Sequence, residues 1–310
     1  MSPQDRTSKN HPSRRQFIEG AALGAAAVML SGLDTPARAA PASRFKIVGF
    51  SKPFAHLNFE DTADLVADVG WDGIECGVRK KAGHIAPEKV EEDLPKMVEA
   101  LKKRGKDVTL VTTEITKLDP LAEKVLRTTA KLGVKKYRFG FSRYSKDKPL
   151  HETLREVGAG LKDLAALNRE LGLQGGWQNH SGGDYVGGPV WDLWTVIKDL
   201  DPKHVGICFD IAHATVEGGM SWPIQARLME PFYVSVFLKD CRWQKTDKGW
   251  QPEWCYFGEG IVQRSFLTKL KESSFDGPLS QHHEYKHLGT GAELVANLKK
   301  DLVTLRDWLK

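Results

Sequence analysis

The stretch Val205-Gly206-Ile207-Cys208-Phe209-Asp210-Ile211-Ala212-His213 contains the two features that decide the fold of this chain. Its first part is an apolar run that is typical of a strand buried on both faces of a parallel sheet. The run ends on Asp210, and His213 follows three residues later. An α/β barrel presents polar chemistry in this way at its mouth, but a strand-end Asp also caps helices, and the stretch by itself supports both interpretations equally.

The same alternation of strand and helix extends from residue 45 to the end of the chain. We predict strands at 45–50, 72–76, 108–113, 137–141, 173–178, 205–209, 233–238 and 278–281. Helices are predicted at 61–69, 87–104, 120–132, 150–171, 191–198 and 292–309, with the 3.6-residue apolar period clearest in 87–104. Eight strands that alternate with helices predict an α/β fold, a single (β/α)8 TIM barrel over residues 45–310. An open doubly wound sheet is the alternative, but no G-x-G-x-x-G follows the first strand.

The N-terminus has the three parts of an export signal. Ser13-Arg14-Arg15-Gln16-Phe17-Ile18 is a twin-arginine pattern, residues 21–30 are apolar, and Ala37-Arg38-Ala39 matches a small-residue cleavage site. We therefore predict a twin-arginine (Tat) signal peptide at 1–39, a short N-terminal segment at 40–44, and a periplasmic or otherwise exported mature protein. The alternative is a disordered basic tail. The apolar segment is too short for a permanent membrane anchor.

Charge and cysteine content limit the partners. The formal net charge of +5 falls to about +3 without residues 1–39, so we expect neither nucleic acid nor, after cleavage of the signal, a membrane as partner.

Cys76 and Cys208 lie in apolar strands and are expected to be buried free thiols. Cys241 and Cys255 flank a long segment, 241–260, that is predicted as an irregular loop over the active face. The sequence leaves open a disulfide between them, and also a homo-oligomer.

Polar side chains concentrate at the C-terminal ends of the predicted strands, where a barrel places its chemistry. They are Glu75; Thr113 and Glu114; Gln178, Asn179 and His180; Asp210 and His213; Lys239 and Asp240; and His282, His283 and Glu284. Each has an ordinary structural explanation: the glutamates as helix caps, His180 as a loop-ordering residue, and Lys239-Asp240 as a surface ion pair. Because five strand ends each supply a group suited to metal binding or proton transfer, we predict an active site.

Six segments occur in an order that marks a known family. They are Gly70-Trp71-Asp72-Gly73-Ile74-Glu75, Asn179-His180, Asp210-Ile211-Ala212-His213, Leu238-Lys239-Asp240, Gly258-Glu259-Gly260, and Gly277-Pro278-Leu279-Ser280 leading into His282-His283-Glu284-Tyr285. Through them, residues 45–310 resemble the sugar phosphate isomerase/epimerase-like family with the xylose-isomerase-like TIM barrel. The resemblance implies one divalent metal ion, Mn²⁺ first and Mg²⁺, Co²⁺ or Zn²⁺ as alternatives, and proton transfer beside a sugar carbonyl.

The ligand set that the resemblance implies is altered in this chain. Gln178 stands where many epimerases have a metal-binding Glu, Phe237 where they have a His, and His282 where they have a Glu, whereas Asp210 is unchanged. We therefore predict metal ligands at Gln178, Asp210 and His282. One of the two carboxylates that simple epimerisation uses is now an amide. Neutral ligands make the site more positive, which favours a stronger Lewis acid.

The sequence thus predicts a metal-dependent isomerase or epimerase of a non-phosphorylated sugar or keto-sugar. Glu284, Glu75 or His180 would move the proton, with Lys239 stabilising negative charge. Substrate contacts are predicted at His213 and His84, and ring stacking at tryptophans that include Trp177, Trp222, Trp243, Trp250 and Trp254. The alternatives are a lyase or hydratase that eliminates a substituent from a 3-keto-glycoside and a non-catalytic sugar-binding barrel. An endonuclease IV-like phosphodiesterase is disfavoured by the near-neutral charge.

Overall fold

The computed structural model describes residues 44–310, so the predicted signal peptide at 1–39 lies outside the described residues. The strands are β1 (Ile47–Phe50), β2 (Gly73–Gly77), β3 (Asp107–Thr112), β4 (Lys136–Arg138), β5 (Gln174–Gln178), β6 (Val205–Asp210), β7 (Tyr233–Leu238), β8 (Asp240–Thr246), β9 (Gly249–Cys255) and β10 (Leu279–Gln281). All except β8 and β9 are paired in parallel, and together they close into an eight-stranded barrel in which β10 lies between β7 and β1. The predicted TIM barrel is confirmed.

The helices surround this barrel. They are α1 (Phe59–Val69), α2 (Val90–Lys102), α3 (Pro120–Lys131), α4 (Leu150–Leu171), α5 (Trp191–Ile197), α6 (Ile211–Gly218), α7 (Trp222–Met229), α8 (Ser265–Glu272) and α9 (Gly291–Trp308). Helices α6, α7 and α8 were not predicted, because each has only eight residues and so gives the apolar period only about two turns in which to repeat. None of the helices within residues 44–310 is both long and apolar enough to cross a membrane.

Alternation along each strand divides the buried residues into two groups. A small cluster made of Leu110, Cys208, Val234 and Phe237 is separate from the main core, and its residues come from β3, β6 and β7. The larger core, to which the neighbouring Phe209 and Val236 belong, lies between strands and helices. A strand-end residue in phase with Cys208 or Phe237 therefore projects toward the barrel axis.

The segment predicted as an irregular loop is a β-hairpin. Strands β8 and β9 pair antiparallel from Asp240↔Cys255 to Thr246↔Gly249, and Gly249 has a φ of 89° at the turn. The alternating sequence from Cys241 onward fits a strand, so the loop prediction was wrong. Cys241 is paired with Trp254 and Cys255 with Asp240, so the two thiols project to opposite faces of the hairpin. Both are free and buried, and they form no disulfide.

Asp240 anchors this hairpin to the barrel. Its carboxylate accepts hydrogen bonds from the backbone N–H groups of Cys241 (2.8 Å) and of Gly258, Gly260 and Val262 (3.0 Å each). A Cβ at Gly260 would lie 2.2 Å from the Asp240 Oδ1 atom, so only glycine allows this close approach. The alternative explanation of Lys239 and Asp240 as a surface ion pair does not hold, because both side chains are buried and bond to different groups.

We predict that Asp240→Ala lowers the free energy of unfolding by about 3 kcal/mol, because it leaves buried N–H groups without an acceptor. Urea denaturation followed by circular dichroism measures this loss. Asp247→Ala, in the exposed turn of the same hairpin, is the matched control and should change stability by less than about 0.5 kcal/mol. Equal effects of the two substitutions would contradict the anchoring role.

Candidate functional site

Asp210 performs both of the roles that its sequence position suggested. Its Oδ1 atom accepts a hydrogen bond from the backbone N–H of His213 (3.1 Å), which caps α6. Its Oδ2 atom accepts from Gln178 Nε2 (2.9 Å) and lies 3.3 Å from Lys239 Nζ. Burial alone would raise the pKa of Asp210, but the electrostatic effect of the adjacent His213 and the positive charge of Lys239 outweigh it and the pKa is lowered. Asp210 is therefore a buried anion that also fixes the start of a helix.

Lys239 lies just beyond the end of β7, at the centre of the polar cluster. Its Nζ atom is 2.7 Å from Glu284 Oε2 and 2.8 Å from His213 Nε2, and its side chain is 3% exposed. Burial would lower the pKa of Lys239, but the carboxylates of Asp210 and Glu284 more than compensate and raise it. Glu284 accepts a further hydrogen bond from Lys52 (2.7 Å), and the two lysines hold its pKa well below the ordinary value despite burial. Asp210, Lys239 and Glu284 are therefore all charged.

Arg138 belongs to the same cluster and was not predicted from the sequence. Its Nη1 atom donates to Gln178 Oε1 at 2.6 Å, and because a guanidinium has no acceptor, this bond fixes the orientation of the Gln178 amide. The side chain is buried and lies over the ring of Phe141, with 4.6 Å between Cζ and the ring centroid. Burial lowers the pKa of Arg138 to about 10, so it remains charged at neutral pH. Alternation with the outward-facing Tyr137 was the available signal for its inward position.

Glu75 forms a second centre with His282. Its carboxylate accepts hydrogen bonds from Ser280 Oγ (2.5 Å), from His282 Nε2 (2.9 Å) and from the Thr112 hydroxyl. Burial opposes ionisation, but His282 and the two hydroxyls outweigh it and lower the pKa of Glu75. The imidazole of His282 lies 4.3 Å from the ring of Phe237, between ring centroids. Glu75 is thus fully buried and saturated with donors.

The rings of His180 and His213 are adjacent and tilted by 32° to each other, with His180 half-buried and His213 buried. Their ring centroids are 4.0 Å apart, and His180 also stacks on Tyr185 at 4.4 Å. The His180 Nδ1 atom donates to the backbone carbonyl of Ser181 (3.1 Å), so its Nε2 atom carries a lone pair, for which residues 44–310 provide no hydrogen-bond partner. Burial is the main cause that lowers the pKa of His180 to about 4, which keeps the ring neutral.

Phe141, Tyr185 and Trp254 form an aromatic rim around these two imidazoles. Phe141 contacts His180 edge-on (5.0 Å between centroids) and is 36% exposed. Trp254, in β9 of the hairpin, contacts His213 (5.2 Å) and lies over the ammonium of Lys239 (4.4 Å). Half-exposed aromatic rings beside polar groups are suited to stacking on a sugar ring.

Three predicted substrate contacts lie elsewhere. Trp177 is fully buried between barrel and helices, where its Nε1 donates to the Val186 carbonyl (3.1 Å), because it alternates with the inward-facing Gln178. Trp222 is 2% exposed and packs on Phe266. Neither indole can stack on a substrate, so both predictions are corrected.

His84 does not join the cluster either. Its Nε2 atom donates to the Leu57 carbonyl (3.0 Å) and its ring lies against Phe54 and Phe59, beside α1. The remaining predicted residues form two groups. Gln178, His180, Asp210, His213, Lys239 and Glu284 are connected by contacts with one another, and Glu75 and His282 form the second centre.

Comparison with known proteins gives the family. The family model described as "Xylose isomerase-like TIM barrel" matches residues 63–310, so the chain belongs to that family. A curated relative, the uncharacterized protein MJ1311 of Methanocaldococcus jannaschii, is 26% identical over 122 residues, which is 39% of this chain. The match spans 40% of that protein's length.

Solved structures share the fold at low sequence identity. The 3-keto-D-glucoside 4-epimerase from E. coli is 16% identical with a TM-score of 0.65, and the alignment covers 85% of this chain and 99% of that one. The IOLI protein, solved with a bound zinc atom, is 16% identical with a TM-score of 0.68, covering 86% and 98%. Some structures of this fold thus contain a divalent metal.

The residues predicted as metal ligands do not converge on a common point. The Gln178 oxygen is bonded to Arg138, Asp210 Oδ2 accepts from Gln178 and faces Lys239, and His282 Nε2 is bonded to Glu75. Within residues 44–310, no three His, Cys, Asp or Glu side chains form a group that could hold a metal ion. A divalent ion does not fit this donor set, which already contains two fixed cations.

We predict that Glu75→Gln lowers the free energy of unfolding by about 2 kcal/mol, because an amide cannot accept from all three of its donors. Chemical denaturation measures the loss, and the ¹⁵N chemical shift of His282 Nε2 should change with it. Glu114→Gln is the control, since Glu114 is exposed and bonds only to the backbone N–H of Lys80 (3.0 Å). A Glu75→Gln variant that is as stable as the wild type and has an unchanged His282 signal would refute the role of the Glu75 carboxylate as acceptor of these three hydrogen bonds.

Proposed function

We propose that this protein is a sugar isomerase or epimerase-type enzyme that moves a proton next to the carbonyl of a non-phosphorylated sugar or keto-sugar. The observation that carries the proposal is the arrangement of Lys239 and His180 on either side of His213. A buried ammonium and a neutral imidazole with a free lone pair lie at one barrel mouth, within an aromatic rim. These are an electrophile and a base, the two groups that enolisation requires.

His180 is the base in this proposal. Its Nε2 lone pair takes the proton from the carbon next to the carbonyl, and the C–H electron pair moves to the carbonyl oxygen to give an enolate. Glu284 and Glu75, the other two predicted bases, are less suited. Glu284 is neutralised by two lysines, and Glu75 is saturated by three donors away from the rim.

Lys239 stabilises the enolate oxygen. Its three N–H donors face Glu284, Asp210 and His213 in the free site. A substrate oxygen would displace His213 from the third N–H, because the Nδ1 atom of this neutral ring already accepts from the backbone N–H of Ser181 (3.1 Å), so its Nε2 atom carries the hydrogen and cannot accept from Lys239. The nearby guanidinium of Arg138 adds positive charge to the field at this point.

The enolate then has two productive outcomes. Protonation of the same carbon by a water molecule on the face opposite His180 epimerises the sugar, and transfer of the proton from His180 to the neighbouring carbon of an enediol isomerises it. Where a glycosidic oxygen lies β to the carbonyl, the enolate electrons re-form the carbonyl, the C=C bond shifts and the C–O bond breaks. His180 returns its proton to the departing oxygen, which leaves as an alcohol, and this is the elimination alternative. The shared fold with a 3-keto-D-glucoside 4-epimerase supports keto-sugars as substrates. The twin-arginine pattern at residues 13–18 of the sequence supports a periplasmic location, and that location in turn favours unphosphorylated sugars.

We expect proton exchange on a 3-keto-glucoside. When the purified protein is incubated with 3-keto-glycosides and with free aldoses in deuterated water, NMR should show deuterium at the carbon next to the carbonyl of the keto-sugar. Release of the aglycone would select elimination over epimerisation. Neither exchange nor release with any of these sugars would contradict the proposed chemistry.

His180→Asn should lower the rate of this exchange by at least about 100-fold, because the base is removed while the ring's approximate shape is kept. The readout is the initial rate of deuterium incorporation, compared at matched thermal stability. His287→Asn, at an exposed position after β10, is the control and should leave the rate unchanged. Full activity of the His180→Asn variant would contradict the role of His180 as the base and show that another residue removes the proton.

The hairpin offers a surface for a second sugar ring. Trp243, Trp250 and Trp254 occupy one face of it, because Cys241 pairs with Trp254, Trp243 with Pro252 and Lys245 with Trp250. Trp254 contacts the site, whereas Trp243 and Trp250 are 43% and 63% exposed. This face continues from the barrel mouth outward.

Trp250→Ala should therefore raise KM about tenfold for a keto-disaccharide and leave KM for a keto-monosaccharide unchanged. Steady-state kinetics with both substrates measures the difference. Trp191→Ala provides the control, since Trp191 is 48% exposed but lies on α5. Equal changes for both sugars would argue against a second ring on the hairpin.

A further inference from the structure

Lys239 has the surroundings that a bound metal ion would have. Two carboxylate oxygens and one imidazole nitrogen lie 2.7 to 3.3 Å from its Nζ atom, supplied by Glu284, Asp210 and His213. Carboxylates and imidazoles are the ligands that divalent ions take in proteins. The ammonium donates to the two carboxylates, and the His213 imidazole lies against its third side, so the cation is held at a fixed position.

We propose that the ammonium of Lys239 takes the place of a divalent ion at Asp210, and that this chain binds no metal ion at its active site. The built-in cation supplies the positive charge that polarises a substrate oxygen. The chemical role of Lys239 rests on the proposed function, whereas the statement about metal binding does not.

Sterics and charge both oppose a metal at this position. An ion bonded to Asp210 Oδ2 at about 2.1 Å would approach the Lys239 Nζ atom, which is already 3.3 Å from the same oxygen. The Gln178 oxygen faces Arg138 at 2.6 Å, so that a second fixed cation lies beside the next potential ligand. Lys52 also neutralises Glu284 from its other side. A divalent ion would thus meet three fixed cations among its ligands.

The indole of Trp254 lies against the ammonium of Lys239. Lys239 Nζ lies 4.4 Å from the centroid of this ring, which favours a cation by its quadrupole and shields it from water. Lys239 thus combines a charge with a transferable proton, which a metal ion does not supply. In the proposed reaction, it can donate this proton to the enolate oxygen and recover it in the reverse step.

Metal binding to the wild-type protein is the direct test. After dialysis against EDTA, the protein is titrated with MnCl₂ and ZnCl₂ by isothermal calorimetry, and its metal content as purified is measured by mass spectrometry. We expect far less than one equivalent of metal and no binding tighter than about 1 mM. One equivalent bound with micromolar affinity, lost on Asp210→Asn, would overturn the proposal.

The Lys239→Ala variant tests whether the ammonium is the group that excludes a metal ion. Removal of the ammonium leaves Asp210, Glu284 and His213 facing an empty position, so this variant should bind Zn²⁺ at least about tenfold more tightly than the wild type. Lys239→Ala combined with Asp210→Asn is the matched control and should lose this gain. A folded Lys239→Ala variant with wild-type metal affinity would contradict the proposal. If it does not fold, the wild-type titration still decides.

Measurements of proton exchange with and without metal distinguish a failure of the metal inference from a failure of the proposed function. Proton exchange on the keto-sugar that persists in EDTA supports both. Exchange that requires added Mn²⁺ contradicts the built-in cation but keeps the function. A metal-free protein that exchanges no proton on any of the sugars contradicts the function and leaves the metal inference standing.

Discussion

The ion pair between Asp210 and Lys239 is the interaction on which the barrel mouth depends. Asp210 joins the end of β6 to the start of α6, and Lys239 joins the end of β7 to Glu284 beyond β10. Three consecutive strands of the barrel are thereby linked through one buried cation. Because removing either partner leaves a buried unpaired charge, which costs about 3–5 kcal/mol, the positions of these strand ends are strongly coupled.

Such a buried network is weak evidence for stability and better evidence for function. An apolar cluster of the same volume would stabilise the fold as well or better, since burying charges costs desolvation energy. Here Asp210, Glu75 and Glu284 are all ionised, and each is paired with a fixed cation or with several hydrogen-bond donors. The arrangement gives a preorganised positive field next to a neutral base, and that is the condition for stabilising an enolate.

The fold was largely predictable because each βα unit repeats the same periodic pattern. The predicted bounds of α4 and β7 agree with the structure, as do the identities of all eight barrel strands. The hairpin of β8 and β9 was missed, because its polar alternation resembles a loop when it is judged by hydrophobicity. The three short helices were missed for lack of a long enough apolar period.

The site was predictable only in part. Strand ends identified Glu75, Gln178, Asp210, Lys239, His282 and Glu284, but a sequence does not show which atoms already have partners. The pairings of Gln178 with Arg138 and of His282 with Glu75 are properties of the barrel's closure, not of any single segment. Trp177 was misassigned because a shift of one position along a strand moves a side chain from the barrel interior to the helix side.

The most direct measurement is a crystal structure of the mature protein soaked in MnCl₂, with data collected at the manganese absorption edge. We predict no anomalous peak at Asp210, and a Lys239 ammonium within hydrogen-bond distance of Asp210, Glu284 and His213. An anomalous peak bonded to Asp210, with Lys239 displaced from the carboxylates, would contradict it.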